Sequence, residues 1–227
     1  MAPREAYRLW APVYVEAETP ITFVDERIVA PLTPPLAGLR VLDAGCGTGR
    51  RLQTLDRPAL AVGADLSWEM LAASEARREG GARPLLAAAD VRALPFASAA
   101  FDVVWCRLVI GHLPSLEEAY AELGRVCAPG GTVIVTDFHP AAAAAGHTRS
   151  FRDAEGQLHH VEHHVFQPDD HLRAADAAGL DSVAIHEGAV GPEMRPFYER
   201  AGRLDRYAAD EGLPVVLALA FRRRAGG

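Results

Sequence analysis

The chain has 227 residues, enough for one sizeable core with a small lid but not for two full domains. Hydrophobic residues make up 49% and charged residues 23%, an ordinary globular balance, and 23 basic against 30 acidic residues leave a net charge of −7. That charge argues against a surface that wraps nucleic acid, and no apolar run is long enough to span a bilayer.

Three scattered cysteines, Cys46, Cys106 and Cys127, make neither a disulfide framework nor a metal knuckle. A reducing, cytoplasmic setting is therefore expected, with no metal site. The N-terminus lacks the apolar core of a secretory signal. Residues 1–38 are rich in aromatics (Tyr7, Trp10, Tyr14, Phe23) and in prolines, which should break them into short pieces. Thr22 is placed to cap a helix from Phe23 to about Pro31. This segment reads either as a cap closing a ligand cleft or as a helix covering one edge of a sheet.

Val41-Leu42-Asp43-Ala44-Gly45-Cys46-Gly47-Thr48-Gly49-Arg50 is a buried strand turning sharply into a helix. Glycines at alternate positions permit a tight turn and let a ligand lie against bare backbone. A dinucleotide fingerprint needs its third glycine where Arg50 stands, so a nicotinamide oxidoreductase is disfavoured. Ala59 to Asp65 is a second short strand ending in an acid. Asp65 sits where a carboxylate can accept both ribose hydroxyls of a nucleoside. Its bland alternative is capping the next helix, which Ser67 could also do, with Met70 facing cleft or core. Arg83 to Ala89 is a third strand that closes on Asp90-Val91, and Phe101 to Cys106 is a fourth, apolar enough for a sheet covered on both faces. Ser115 and Glu118 suggest a capping box for a helix to Cys127. Ala128-Pro129-Gly130-Gly131 then turns into a fifth strand, Thr132 to Phe138.

The order Asp-x-Gly-x-Gly-x-Gly, Leu94-Pro95-Phe96, Phe101-Asp102-Val103-Val104 and Pro129-Gly130-Gly131 resembles the class I S-adenosylmethionine-dependent methyltransferases. The likeness runs from about Val41 to Phe138. It implies a seven-stranded, mostly parallel Rossmann-like α/β sheet, an antiparallel last strand between the fifth and sixth, and S-adenosylmethionine as cofactor. By this resemblance Asp43, Gly45, Cys46, Gly47 and Gly49 hold the methionine end and Asp65 the ribose. Asp90 and Val91 take the adenine. Leu66, Met70 and Leu108 line the cleft, and the backbone at Cys106 and Arg107 faces the donor amino acid. The opening Tyr7 to Tyr14 is similar to the aromatic start of the ubiquinone and menaquinone methyltransferases, which brings Tyr14 to the site.

Past the fifth strand, residues 141–146 read as a connector, and residues 148–166 as a β-hairpin that would place His160, Glu162 and His164 on one face. Asp169 should cap a helix from Asp170 to Ala178. Leu180 to His186 and Pro214 to Phe221 are the last strands, and Arg222-Arg223-Arg224 a solvated tail. The expected division is a cap segment, residues 1–38, and a methyltransferase domain, 39–227, with a lid hairpin at about 147–168. Seven of the nine histidines lie between His139 and His171. They read as a metal set, as a base or substrate contact, or as a polar lid. His112 and His139 fall on loops at the carboxyl edge of the sheet, where substrates bind, and are the candidate bases. The acceptor expected is a small molecule, with an aromatic or quinone-like one suiting the N-terminus, methylated at O, C or N. The other function class is a non-catalytic nucleoside-binding regulator. Oligomeric state is not legible.

Overall fold

A computed structural model describes residues 1–14, 19–75 and 84–225. The chain opens on helix α1 (Pro3–Tyr14) and helix α2 (Pro20–Val29). The N-terminal prolines do not break these helices. Pro3 and Pro20 begin them, where a missing N–H costs nothing, and Pro12 falls in the last turn of α1. Thr19, not Thr22, caps α2. Its hydroxyl accepts from Thr22 N at 3.2 Å, while the Thr22 hydroxyl accepts from Thr19 N at 3.1 Å. This reciprocal box moves the helix start ahead of Phe23.

Strand β1 (Arg40–Ala44) and helix α3 (Arg50–Gln53) bracket the glycine loop. Then come β2 (Leu60–Asp65), α4 (Trp68–Glu75) and β3 (Leu85–Ala88). Arg83, the expected start of β3, lies outside the described residues. Next are β4 (Phe101–Arg107), α5 (Glu117–Val126) and β5 (Cys127–Phe138). The box expected from Ser115 and Glu118 is not what starts α5. Leu116 takes the cap position in αR conformation, without a side-chain bond.

The expected connector is a short helix, α6 (Pro140–Ala144). The hairpin that follows is smaller than expected, pairing only β6 (Ser150–Arg152) with β7 (Leu158–His160). Beyond His160 the backbone takes a new partner at each step: Val161 N donates to Arg149 O, Glu162 N to Met1 O and His164 N to Gly111 O. The single face of His160, Glu162 and His164 therefore does not exist. Helix α7 (Pro168–Ala177) follows. Asp170, rather than Asp169, serves its start by accepting from Gln167 N at 2.7 Å. The chain ends with β8 (Leu180–Ala189), α8 (Arg195–Arg200), α9 (Leu204–Asp210) and β9 (Pro214–Arg223).

The sheet order is β3-β2-β1-β4-β5-β9-β8, with β9 antiparallel to both neighbours and the pairs from β3 to β5 parallel. This is the expected topology. Alternate residues feed two cores: Leu42, Val104 and Cys106 face one, and Val41, Val103 and Trp105 the other. Helices on both faces explain why β1 and β4 read as continuous apolar runs rather than alternating ones. The arginine run is not a free tail. Arg223 is bound to the carbonyls of Gly124 and Ala178, and Arg224 to Asp176 and Asp181. No helix among the described residues is long and apolar enough to cross a membrane.

Candidate active site

The glycine loop folds back onto the neighbouring strand: Gly45 N and Cys46 N both donate to Ala64 O, at 2.7 and 3.0 Å. Gly45, Gly47 and Gly49 hold φ of +85°, +58° and +65°, where L side chains are strained. A Cβ on Gly45 would overlap the Val109 side chain, and one on Gly47 would stand 3.1 Å from Met70 Cε. Bare backbone is a steric requirement at Gly45, whereas at Gly47 the Met70 tip can give way and the demand is set by the positive φ.

Asp65 joins this loop to the start of α4. One carboxylate oxygen accepts from Gly47 N at 2.7 Å and the other from Ser67 N at 2.8 Å. Ser67 in turn accepts from Met70 N at 3.3 Å, so both candidate caps serve the helix. Burial pushes the Asp65 carboxyl up from its ordinary value. Each of its oxygens keeps a lone pair for a further donor.

Asp43 lies fully buried two residues before Gly45, and neither of its oxygens has a hydrogen-bond partner. The nearest cation is Arg51 Nη1, at 3.8 Å. An orphaned buried carboxylate beside a bare loop fits a ligand that brings a cation or N–H donors, as the amino-acid end of S-adenosylmethionine does. Burial raises the Asp43 pKa, so the folded state holds this proton more tightly than the unfolded one. Stability from this group is then lost as pH rises from about 4, its unfolded value, through the raised folded one. Asp43→Asn is expected to match the wild-type melting temperature near pH 4 and to exceed it by several degrees at pH 8, while binding S-adenosylhomocysteine more weakly. Calorimetric melts and titrations at both pH values check this; equal melting at pH 8 would show that the wild-type charge costs nothing.

Behind the loop, α2 is bolted to the sheet. Asp25 is fully buried; one oxygen accepts from Arg107 Nη2 and Nε at 2.6 and 2.9 Å and the other from Thr136 Oγ1 at 2.6 Å. Glu26 pairs with Arg51 and Arg107, at 2.7 and 3.0 Å.

One cavity of about 820 Å³ runs along the carboxyl ends of the parallel strands, under α1. Of the residues singled out from the sequence, Tyr14, Gly45, Cys46, Gly47, Asp65 and Leu66 line it, as do Met70, Asp90, Val91, Arg107, Leu108 and His112. Asp43, Gly49, Cys106 and His139 do not. Gly49 caps α3, and Cys106 is core. Asp90 is clamped by Arg92 at 2.7 Å, which holds its carboxyl below the usual range.

The two candidate bases differ in placement. His139 turns away from the cavity: its Nδ1 accepts from Ala141 N at 3.1 Å, capping α6, and its Nε2 meets Glu187 at 3.3 Å. His112 faces the cavity within a directional chain. Arg149 Nη2 donates to Tyr7 Oη at 3.3 Å, and Tyr7 Oη lies 3.0 Å from His112 Nε2. His112 Nδ1 lies 3.3 Å from the Glu162 carbonyl. A carbonyl can only accept, so Nδ1 carries the proton and Nε2 accepts from Tyr7. Burial, with Arg149 adding to it, pushes the His112 pKa down to about 3, and burial pushes Tyr7 up to about 12. Both groups are neutral at working pH, and the one free lone pair of His112 is taken.

Among the described residues no three His, Cys, Asp or Glu side chains form a metal-holding group. The remaining histidines are mostly partnered. His159 meets Asp153 at 2.6 Å, His147 meets Asp210 at 3.0 Å, and His163 and His171 flank buried Asp137 at 3.4 and 3.6 Å. Tyr7 and Arg149 were not picked out from the sequence as site residues, because their meeting spans 142 positions and leaves no local spacing.

Residues 42–135 match the family model described as a methyltransferase domain. With the sheet topology and the loop geometry, this makes the chain the bearer of a class I S-adenosylmethionine-dependent methyltransferase domain, whose cofactor is S-adenosylmethionine. A malonyl-[acyl-carrier protein] O-methyltransferase of Herminiimonas arsenicoxydans is 35% identical over 170 residues, covering 73% of this chain and 56% of that protein. The chain spans roughly two fifths to just over half the length of the first curated relatives it matches, 38% to 56%. Among solved structures, an S-adenosylmethionine-dependent methyltransferase from Mesorhizobium loti superposes with a TM-score of 0.67 at 21% identity, covering 88% of this chain and 98% of the other. The [4+2]-cyclase SpnF superposes with a TM-score of 0.68 at 19% identity, over 99% and 98% of the two chains. Both likenesses are of fold.

Proposed function

We propose that this protein transfers the methyl group of S-adenosylmethionine to an oxygen of a small-molecule acceptor. The observation that carries the reading is the Asp65 carboxylate, locked to the glycine loop and facing a cavity that continues past Leu108 to Tyr7 and Arg149. The glycine loop, with Asp43 buried behind it, would hold the methionine end, Asp65 the ribose, and Asp90 with Val91 the adenine. When bound, the cofactor supplies an electrophilic methyl on a sulfonium. The chain's own work is alignment and exclusion of water. The cavity volume lies in the upper part of the range for one ligand, roughly 300–1,000 Å³, which suits a nucleoside with a small acceptor beside it. Relatives named for O-methylation support oxygen as the acceptor atom. A regulator that only binds a nucleoside has no use for the extra length of the cavity.

The N-terminal helix and the hairpin would act as the lid. Trp10 stacks on Phe151 with ring centroids 4.9 Å apart, and Ala6, Phe151 and Val161 form a small core of their own. His112 would brace this lid through Tyr7 rather than take a proton, and His139 would brace α6.

Calorimetric titration with S-adenosylmethionine, S-adenosylhomocysteine and NADH tests the reading. Micromolar binding of the two adenosyl ligands and none of NADH is expected. NADH binding would overturn the argument from Arg50, and a failure to bind any of the three would overturn the cofactor reading.

A further inference from the structure

We infer that the acceptor is an elongated, largely apolar molecule with a neutral carbonyl oxygen at the end remote from the methylated atom, and that Arg206 is the residue that selects it. The inference rests on the methyl-transfer reading above and adds a second recognition point to it.

The length of the acceptor follows from the sheet. Taken in sheet order, the cavity is lined by Asp90 after β3, Asp65 on β2, Gly45 after β1, Leu108 after β4, Phe138 on β5 and Val215 at the start of β9. By the assignments above, the adenine lies at β3 and the methionine end at β1 and β4. The cavity then runs on from β4 to β9 by two strand spacings, about 10 Å. Phe138, Met194 and Val215, buried in one cluster with Phe197 packed against it, line that extension. An apolar body fits there.

The far end is polar. Asp210, the last residue of α9, is 2% exposed. One of its oxygens lies 3.0 Å from His147 Nε2, and the other accepts from Tyr198 Oη at 3.1 Å and Arg206 Nε at 3.2 Å. Burial, with Asp210 adding to it, pushes the Tyr198 pKa up to about 12, so that hydroxyl keeps its proton and donates. All four side chains line the cavity.

This junction holds one contact too many. Arg206 Nη2 lies 2.9 Å from the same His147 Nε2 that meets Asp210. One ring nitrogen cannot give a proton to a carboxylate and also accept one from a guanidinium. The carboxylate decides the outcome. Asp210 is buried, and a buried charge without its partner costs more than an unmade N–H bond on an arginine side chain 37% exposed. His147 Nε2 therefore carries the proton, and Arg206 Nη2 faces an N–H instead of an acceptor. Its other contact, the Ala145 carbonyl at 3.4 Å, is at the limit of a hydrogen bond.

An oxygen arriving at Nη2 removes the mismatch. Arg206 and Asp210 already balance each other's charge, so a neutral oxygen suits the place better than an anion. A carbonyl only accepts, whereas a hydroxyl would bring a further proton among groups that are already donors. A few fixed polar groups at the end of an apolar channel set the orientation of what binds there. A molecule held at Arg206 points its opposite end at the methyl group.

The test uses the full chain saturated with S-adenosylhomocysteine and two matched pairs of probes. One pair is para-hydroxybenzylacetone and para-butylphenol; the other is 7-hydroxyheptan-2-one and heptan-1-ol. Within each pair a carbonyl replaces a methylene and nothing else changes. Calorimetric titration compares wild type, Arg206→Lys, which keeps a counter-charge for Asp210, and Arg206→Met. In wild type the ketone of at least one pair should bind about tenfold or more tightly than its partner. In both variants that ratio should fall to within about twofold, through loss of ketone affinity alone, with S-adenosylhomocysteine affinity also held within about twofold. Equal binding of ketone and partner in wild type overturns the inference, and this arm needs no variant to fold. A preference that survives in Arg206→Lys and Arg206→Met overturns it too, as does failure of all four probes to bind the S-adenosylhomocysteine complex. These three results leave the methyl-transfer reading intact. Absence of S-adenosylhomocysteine binding in wild type is the separate result that overturns that reading and this inference with it.

Discussion

Asp25→Ala is expected to lower the free energy of unfolding by about 3 kcal/mol in urea, the largest stability effect of any single substitution argued for this fold. Asp25 has no exposed surface and its carboxylate gathers Arg107 from β4 and Thr136 from β5 onto α2. Removing it leaves a guanidinium that is itself 3% exposed, with only the half-exposed Glu26 at 3.0 Å in compensation. An uncompensated buried charge costs more than the lost bonds would suggest, because the alternative partner, water, is absent. Glu26→Gln is the matched control and should cost under about 1 kcal/mol, since that carboxylate is nearly half exposed and screened. Equal losses from the two variants would show that the buried pairing is not what secures α2.

Asp65→Ala is expected to weaken S-adenosylhomocysteine binding about 100-fold, or about 2.7 kcal/mol, with little change in the melting temperature of the ligand-free protein. The two halves of this statement have different causes. The carboxylate fixes Gly47 N and Ser67 N and offers its remaining lone pairs to the cavity, so a ligand loses both its partner and the shape of the loop. Stability is another matter. Burial raises the Asp65 pKa, which means the charged form is held against a net penalty above the unfolded value of about 3.9. Deleting the charge relieves that penalty and offsets the two lost bonds. With ligand at one hundred times the wild-type Kd, the wild type should gain about 2.7 kcal/mol and the variant only about 0.4. A variant that keeps the full ligand-induced shift would remove Asp65 from the binding site.

The parts of this molecule that were legible in the sequence are those whose cause is local. The glycine loop could be read because φ above zero and the absence of a Cβ are demands on single residues. Asp65 could be read because a strand end and the following turn fix its place. Helix starts were read less well where neighbouring residues compete for the same role: Thr19 displaced Thr22, Leu116 displaced Ser115, and Asp170 displaced Asp169. The hairpin was overextended because alternation was counted without knowing the partner strand. Real pairing stops at His160, when the chain turns to Arg149, Met1 and Gly111. Tyr7, Asp25 and Arg149 were invisible as site residues because each acts on groups 41 to 142 positions away. His139 was picked by topology, which places a loop at the right edge but does not orient an imbalance between two ring nitrogens, here spent on a helix cap and on Glu187.

The place of β9 has a consequence for how the chain acquires its shape. This strand covers positions 214–223, yet it lies between β5 and β8, pairing in register from Thr132↔Arg222 on one side and Leu180↔Arg223 on the other. During synthesis, β1 through β5 can pair once β5 has emerged, since the partners of each lie within that stretch. β5 and β8 meanwhile carry rows of unpaired N–H and C=O groups, until β9, made after both, lies between them. Closure thus rests on contacts of high sequence separation, from Phe138↔Val216 to Thr132↔Arg222, which form slowly relative to local ones. A ribosome-stalled chain lacking β9 should carry a folded glycine-loop half beside an adhesive open edge, so completion of the sheet is a matter of this ten-residue strand.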